Sequence, residues 1–169
     1  MRLAYADPPY LGQGHLYPEH PAARVWNDPA VHGRLIARLD EDYDGWAYSL
    51  SSTTLRELLP LAPEDVRVAA WVKPFSSWKP NQRVAYAWEP VLFRSARGRD
   101  RNWRHGDMPT IRDYVSAPVE LKRGVIGPKP VTFCRWVLDL IGYADGDTVE
   151  DLFPGTGTMS RVVAQGVLL

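Results

Sequence analysis

The chain has a single cysteine, Cys134, which excludes an internal disulfide and any cysteine-based zinc site. It has no apolar run approaching the roughly 18 residues that a membrane span needs. Met1-Arg2 leads straight into a candidate strand, with no signal-peptide core. The expectation is therefore a cytoplasmic protein without a membrane partner. Charge of one sign is missing too: 20 basic and 20 acidic residues cancel. Affinity for a polyanion would have to come from a local patch. His15 and His20 stand near no cysteine and no cluster of acids, so they read as loop polar groups, and no metal site is expected. What the chain does have is 45% hydrophobic and 24% charged residues over 169 positions, the balance of one globular domain, 1–169. Seven tryptophans are many for that length, enough for the core with a few left as stacking surfaces.

The most informative stretch is Asp7-Pro8-Pro9-Tyr10. It follows Leu3-Ala4-Tyr5-Ala6, a short apolar run that reads as a buried strand. Two prolines can neither continue a ladder nor open a helix there, so the chain must leave the sheet stiff and extended. One carboxylate, two carbonyls and an aromatic face are thereby held at a strand end. That set suits a planar group bearing an exocyclic amine, with acceptors for two N–H bonds and a ring to stack on. Asp-Pro is also an ordinary turn opener, and on the tetrapeptide alone both readings stand.

The residues 11–27 that follow have two glycines, two histidines, two prolines and no period. They predict a long loop able to close over whatever binds at Asp7-Tyr10. Asp28-Pro29 predicts a helix start, with Val31, Leu35 and Leu39 on one face. Strands are predicted at 46–50, 66–72 and about 88–93. Between the first two, Thr54 and Glu57 have capping-box spacing ahead of a short helix that Pro60 ends. A late helix starts at Lys129-Pro130, carries Phe133, Trp136, Val137, Leu140 and Ile141 at helical spacing, and stops at Gly142. Alternating strands and helices predict an α/β domain with a largely parallel sheet.

Two stretches carry further chemistry. Residues 94–127 hold Arg94, Arg97, Arg99, Arg101, Arg104, Arg112, Lys122 and Arg123 against four acids, with Trp103 and His105 interleaved. A locally basic insert with aromatics suits phosphate contact and base stacking, and Arg97, Arg99, Arg101, Trp103 and Arg104 are the candidate nucleic-acid residues. A solvated insert is the plain alternative. Near the end, a strand at 147–153 runs into Pro154-Gly155-Thr156-Gly157-Thr158 and a short helix. A strand, a Gly-x-Gly turn and a helix bring backbone N–H groups close to a ligand, and Asp151 ahead of the turn would favour a cationic group.

Taken in order, Asp7-Pro8-Pro9-Tyr10, Lys129-Pro130 and Asp151-x-Phe153-x-Gly155-x-Gly157 resemble the motifs of the β-class, S-adenosylmethionine-dependent DNA amino-methyltransferases, which modify adenine N6 or cytosine N4. The resemblance covers most of the chain. It implies a Rossmann-like methyltransferase fold in circularly permuted order, a mostly parallel sheet, and a target-recognition insert at 94–127. It implies S-adenosylmethionine as cofactor, contacted by Asp7, Lys129, Asp151, Phe153, Gly155 and Gly157. The catalytic residues would be Asp7, Pro8, Pro9 and Tyr10. They would hold a base extruded from double-stranded DNA, and the Asp form of the motif leans toward adenine N6. Because twelve residues follow Gly157, the sheet is expected to lack its last strands, with a bare edge that invites a homodimer. A catalytically weak or inactive DNA-binding version of the fold, or an RNA adenine methyltransferase, are the alternative expectations.

Overall fold

Short runs, apolar in the central strands, become one sheet, and the longer periodic segments cover its faces. The computed structural model describes residues 1–75, 81–98, 110–119 and 128–165. Its strands are β1 (Arg2–Ala6), β2 (Gly45–Ser49), β3 (Arg67–Val72), β4 (Trp88–Arg94), β5 (Tyr114–Ser116) and β6 (Thr148–Asp151). Its helices are α1 (Pro29–Asp42), α2 (Leu55–Leu58), α3 (Val131–Ile141) and α4 (Thr158–Ala164). The sheet order is β5-β3-β4-β2-β1-β6. β1 runs parallel to both β2 and β6, and β3 runs parallel to β5. β4 is antiparallel to both of its neighbours, so one strand opposes the other five in a mixed, mostly parallel sheet.

Two apolar clusters sandwich this sheet. On one face α3 buries Phe133, Val137 and Ile141 against Leu3, Tyr5, Trp71 and Phe93. On the other, Ile36 and Leu39 of α1 pack on Ala4, Trp46, Tyr48 and Leu92. Central strands buried on both faces explain why β1 and β2 read as unbroken apolar runs rather than alternating ones. The helix ends follow their sequence signals. The Asp28 carboxylate accepts the Ala30 N–H at 2.9 Å ahead of Pro29. Gly142 closes α3 at φ 78°, a left-handed conformation that glycine adopts without strain.

Several local expectations shift. The buried stripe of α1 is His32, Ile36 and Leu39, not one centred on Val31 and Leu35. His32 is accepted in the core because both ring nitrogens have partners, the Tyr48 hydroxyl and the Trp26 carbonyl. Thr54 makes no cap hydrogen bond; Ser51, three residues earlier, caps a 3-10 turn over Ser52–Thr54 instead. The loop 11–27 contains 3-10 turns at Gly14–Leu16 and Pro21–Asn27. Gly14 is obligatory in their packing, since a Cβ there would lie 2.4 Å from the Ala23 carbonyl oxygen. Within the predicted insert, residues 114–116 are not irregular but form β5 on the free flank of β3. Three residues are too short a run for period-two alternation to show in the sequence.

Candidate active site

Parallel strands end on the same side of a sheet, and that is where this chain gathers its unusual residues. β1 and β6 pair through Tyr5 and Asp151, and the Leu152 N–H donates to the Tyr5 carbonyl at 3.0 Å. Asp7, just past β1, and the Pro154–Thr158 turn, just past β6, therefore share one edge despite their separation in sequence. Such carboxyl-end crevices are the standard binding place of open α/β sheets.

Four charges and a phenol interlock at this edge. The Lys129 ammonium donates to Asp7 Oδ1 at 2.9 Å and to the Tyr10 hydroxyl at 3.1 Å. Tyr10 in turn donates to Glu89 Oε2 at 2.7 Å. The other Glu89 oxygen is bonded by the Lys73 ammonium. Lys129 also lies 3.8 Å from Glu89 and faces the rings of Tyr10, Trp71 and Phe133 at 5.3 to 5.9 Å. Two carboxylates and two ammoniums balance, and so the cluster is tolerated in a half-buried place.

Burial and the neighbouring charges together set the protonation behaviour. Burial raises Asp7 above the usual carboxylate range, although Lys129 pulls the other way and Glu89 adds to the rise. Burial likewise pushes Glu89 up, but there Lys129 and Lys73 win and hold it below its ordinary value. For Lys129 burial opposes the charge, and Asp7 and Glu89 outweigh it, so its value is raised. Tyr10 is held well above an ordinary phenol by burial and then by Glu89 and Asp7, which keeps it a hydrogen-bond donor.

Beside this cluster is a cavity of about 1110 Å³. Asp7, Pro9 and Lys129 form one wall, Asp151 to Thr156 another, and Leu16 to Trp26 of the loop a third. The loop is fixed over the cavity by the Trp26 ring, which meets Phe153 edge-on at 5.2 Å. Gly155 and Gly157 both have positive φ, 46° and 71°, which lets the turn present backbone rather than side chains. Asp151 lines the same space. Its Oδ2 accepts from Ser160 at 3.3 Å, while Oδ1 is buried without a partner among the described residues. Burial raises its pKa, against the pull of the Phe153 N–H and the Ser160 hydroxyl. A buried carboxylate oxygen with no donor is a rare and costly feature unless a ligand supplies one.

The structure thus brings Asp7, Pro9, Lys129, Asp151, Phe153 and Gly155 to one cavity, with Tyr10 bonded onto it through Lys129 and Pro8 buried beside it. Lys129, expected as a cofactor contact, spends its ammonium on Asp7 and Tyr10. Arg99, Arg101, Trp103 and Arg104 lie outside the described residues. Arg97 is at the opposite edge of the sheet: it forks onto the Asp147 carboxylate, with the second nitrogen at 3.0 Å, and reaches the Gly142 carbonyl. Asp147 also holds the N-terminal ammonium at 2.8 Å, so this arginine serves the fold. Sequence reasoning missed Glu89, Lys73 and Trp71. Glu89 opens a strand as an acid in an otherwise apolar run, Trp88 to Phe93, and that anomaly was the available signal.

No protein-family model and no curated protein sequence matches the chain. Solved structures do match in fold. One is the M1.HpyAVI–SAM complex, at 11% identity and TM-score 0.57, with the match covering 97% of this chain and 76% of that one. Another is the cytosine-N4-specific PvuII DNA methyltransferase, at 13% identity and TM-score 0.59, covering 98% of this chain and 71% of that one. The fold of this chain is therefore the α/β methyltransferase fold of those structures, as its motifs imply.

Proposed function

We propose that the chain is an S-adenosylmethionine-dependent DNA methyltransferase acting on an exocyclic amine, adenine N6 in first place. The observation that carries this reading is the joining of Asp7 and Tyr10, through Lys129, to a cavity whose far wall holds the orphaned Asp151 oxygen. The residues fit the cofactor. Asp151 Oδ1 is a matched partner for its ammonium, the Gly155-Thr156-Gly157 turn for its amino-acid end, and Phe153 is an apolar wall. When bound, S-adenosylmethionine supplies an electrophilic methyl group on a sulfonium.

The chain's own residues then do three things. Tyr10, its hydroxyl tied to Glu89 and Lys129, offers a fixed ring for a base lifted out of the stack. Asp7, held by Lys129 on Oδ1, keeps Oδ2 for one amine hydrogen, and the Pro8 carbonyl takes the other. This turns the nitrogen lone pair toward the methyl carbon, which is an orientation effect worth several orders of magnitude in rate. With the cofactor bound, Asp7 would accept the amine proton that methyl transfer releases and pass it on to solvent. The raised pKa of Asp7 suits it to that acceptance. In this reading the insert residues Arg99, Arg101, Trp103 and Arg104 contact the duplex, and Arg97 does not.

The test is transfer of labelled methyl groups from the cofactor to duplex DNA by the purified protein, with calorimetric titration of the cofactor alongside. Transfer that disappears in a folded Asp7→Ala variant supports the reading. Neither transfer nor cofactor binding overturns it.

A further inference from the structure

The loop 11–27 forms the third wall of the cavity, and that wall is apolar where the other two are polar. Leu16, Val25 and Trp26 all line the space, yet Leu16 and Val25 are left 38% and 54% exposed. Apolar groups facing an open cavity gain their burial energy only when a ligand covers them. The proposed cofactor has a part left over for this wall. Its amino-acid end is matched to Asp151 and the glycine turn, and its methyl group must point at Asp7. The adenosine half remains, and a flat purine suits a wall that contains an indole.

Trp26 is not placed by its loop alone. His32 of α1, buried to 1% exposure, holds it in two ways. The His32 Nε2–H donates to the Trp26 carbonyl at 2.7 Å, and the imidazole meets the indole edge-on at 5.2 Å. A carbonyl can only accept, so in the neutral ring Nε2 carries the hydrogen and Nδ1 accepts from the Tyr48 hydroxyl. Tyr48 is a fully buried residue of β2, which anchors the histidine to the sheet. The indole in turn meets Phe153, which follows β6 and lines the same cavity. Tyr48, His32, Trp26 and Phe153 are thus one chain of contacts from the sheet to the cavity wall. The segment beside Trp26 is also tied back to the start of the loop, since the Asn27 carboxamide accepts the Gly14 N–H at 3.1 Å. An apolar side chain could fill the volume of His32 without burying polar atoms; what the imidazole adds is direction.

We infer that Trp26 is a cofactor-contact residue on the purine side of S-adenosylmethionine, and that His32 is the positioning residue that sets it there. This rests on the proposed function and deepens it, by naming a side of the cofactor site that the motifs at Asp7 and Gly155 leave open.

The test is calorimetric titration of S-adenosylmethionine into the wild type, Trp26→Ala, His32→Leu and His32→Gln, with folding checked by circular dichroism. Trp26→Ala is expected to weaken binding by about fivefold or more, the effect of losing one aromatic ring stacked on a base. His32→Leu cannot hold the Trp26 carbonyl and is expected to weaken binding too; in methyl transfer it should raise KM for the cofactor more than it lowers kcat. A glutamine amide offers both a donor and an acceptor, so His32→Gln is expected to recover affinity. The Trp26→Ala loss should be the same for 5′-methylthioadenosine, which keeps the adenosine half and lacks the amino-acid end. A loss confined to S-adenosylmethionine, or no binding of 5′-methylthioadenosine to the wild type, overturns the purine assignment. A folded Trp26→Ala or a folded His32→Leu with wild-type affinity overturns the inference and leaves the proposed function standing. So does His32→Gln binding as weakly as His32→Leu, which would make the histidine a packing residue. A wild type that binds no S-adenosylmethionine overturns both.

Discussion

The Lys129 ammonium lies 2.9 Å from Asp7 Oδ1, across 122 residues of sequence. The start of α3 is thereby locked to the end of β1, and the cavity wall is joined to the residues that would hold a base. Both groups are largely enclosed, with side-chain exposures of 10% and 22%. Lys129→Met should leave Asp7 without its cation and facing Glu89, which keeps only Lys73. Removing one partner of such a pair costs about 3–5 kcal/mol. Urea denaturation should show that loss at neutral pH and a smaller one at mildly acid pH, where the extra proton on Asp7 relieves the repulsion.

The pH dependence follows from opposite shifts in one cluster. Glu89 has a folded pKa below its ordinary 4.5, so its contribution to stability is present above that value and is lost as pH falls through the lowered one. Lys129 has a folded pKa above 10.5, so its contribution is present below 10.5 and is lost as pH rises through the raised one. Asp7 has the reverse sign from Glu89, because a raised folded value means that ionisation above 3.8 weighs against the fold. Activity, which needs ionised Asp7, should decline on the acid side at a pH above that of a free carboxyl. Glu89→Gln should move this limb of kcat/KM to lower pH, since the Glu89 charge is one cause of the Asp7 shift. It should also remove the Glu89 share of the acid-labile stability, leaving that of Asp147, whose carboxyl Arg97 holds low.

Asp151→Asn separates binding from folding. The variant would lose a charged contact worth about 1.5–3 kcal/mol, so cofactor affinity should fall roughly tenfold or more by calorimetry. Stability without cofactor should hold or rise, because a buried, unpartnered carboxylate oxygen is exchanged for a neutral amide.

Arg97→Ala should be a stability variant. Asp147, only 3% exposed, would lose its bidentate partner, and the melting temperature should drop by an amount equivalent to about 3 kcal/mol. The salt slope of DNA binding should stay unchanged. Arg99→Ala, Arg101→Ala and Arg104→Ala should do the opposite, each flattening that slope by about 0.9 at unchanged stability.

The outline of the fold was legible wherever a local signal and a buried surface agree. Asp28-Pro29, Gly142 and the apolar runs of β1 and β2 mark their elements because capping and burial act within a few residues. The pairing of Asp7 with the Gly155–Gly157 turn could be expected once the motifs were set on one sheet edge. The partners of Lys129 were not legible. They come from β4 and the segment after β1, and nothing in a sequence fixes which distant carboxylates a buried ammonium will meet. The partner of Arg97 was illegible for the same reason: sequence shows it among basic neighbours, whereas its guanidinium turns toward Asp147, fifty residues on. β5 was missed because three half-exposed residues at a sheet edge carry almost no pattern.

The account turns on Asp7 acting on a base amine. The most direct measurement is mass analysis of nucleosides from DNA of a methylation-free host expressing either the wild type or Asp7→Ala. N6-methyladenine in the first sample and none in the second is the predicted result. A wild-type sample with neither N6-methyladenine nor N4-methylcytosine, or equal methylation by both proteins, would contradict it.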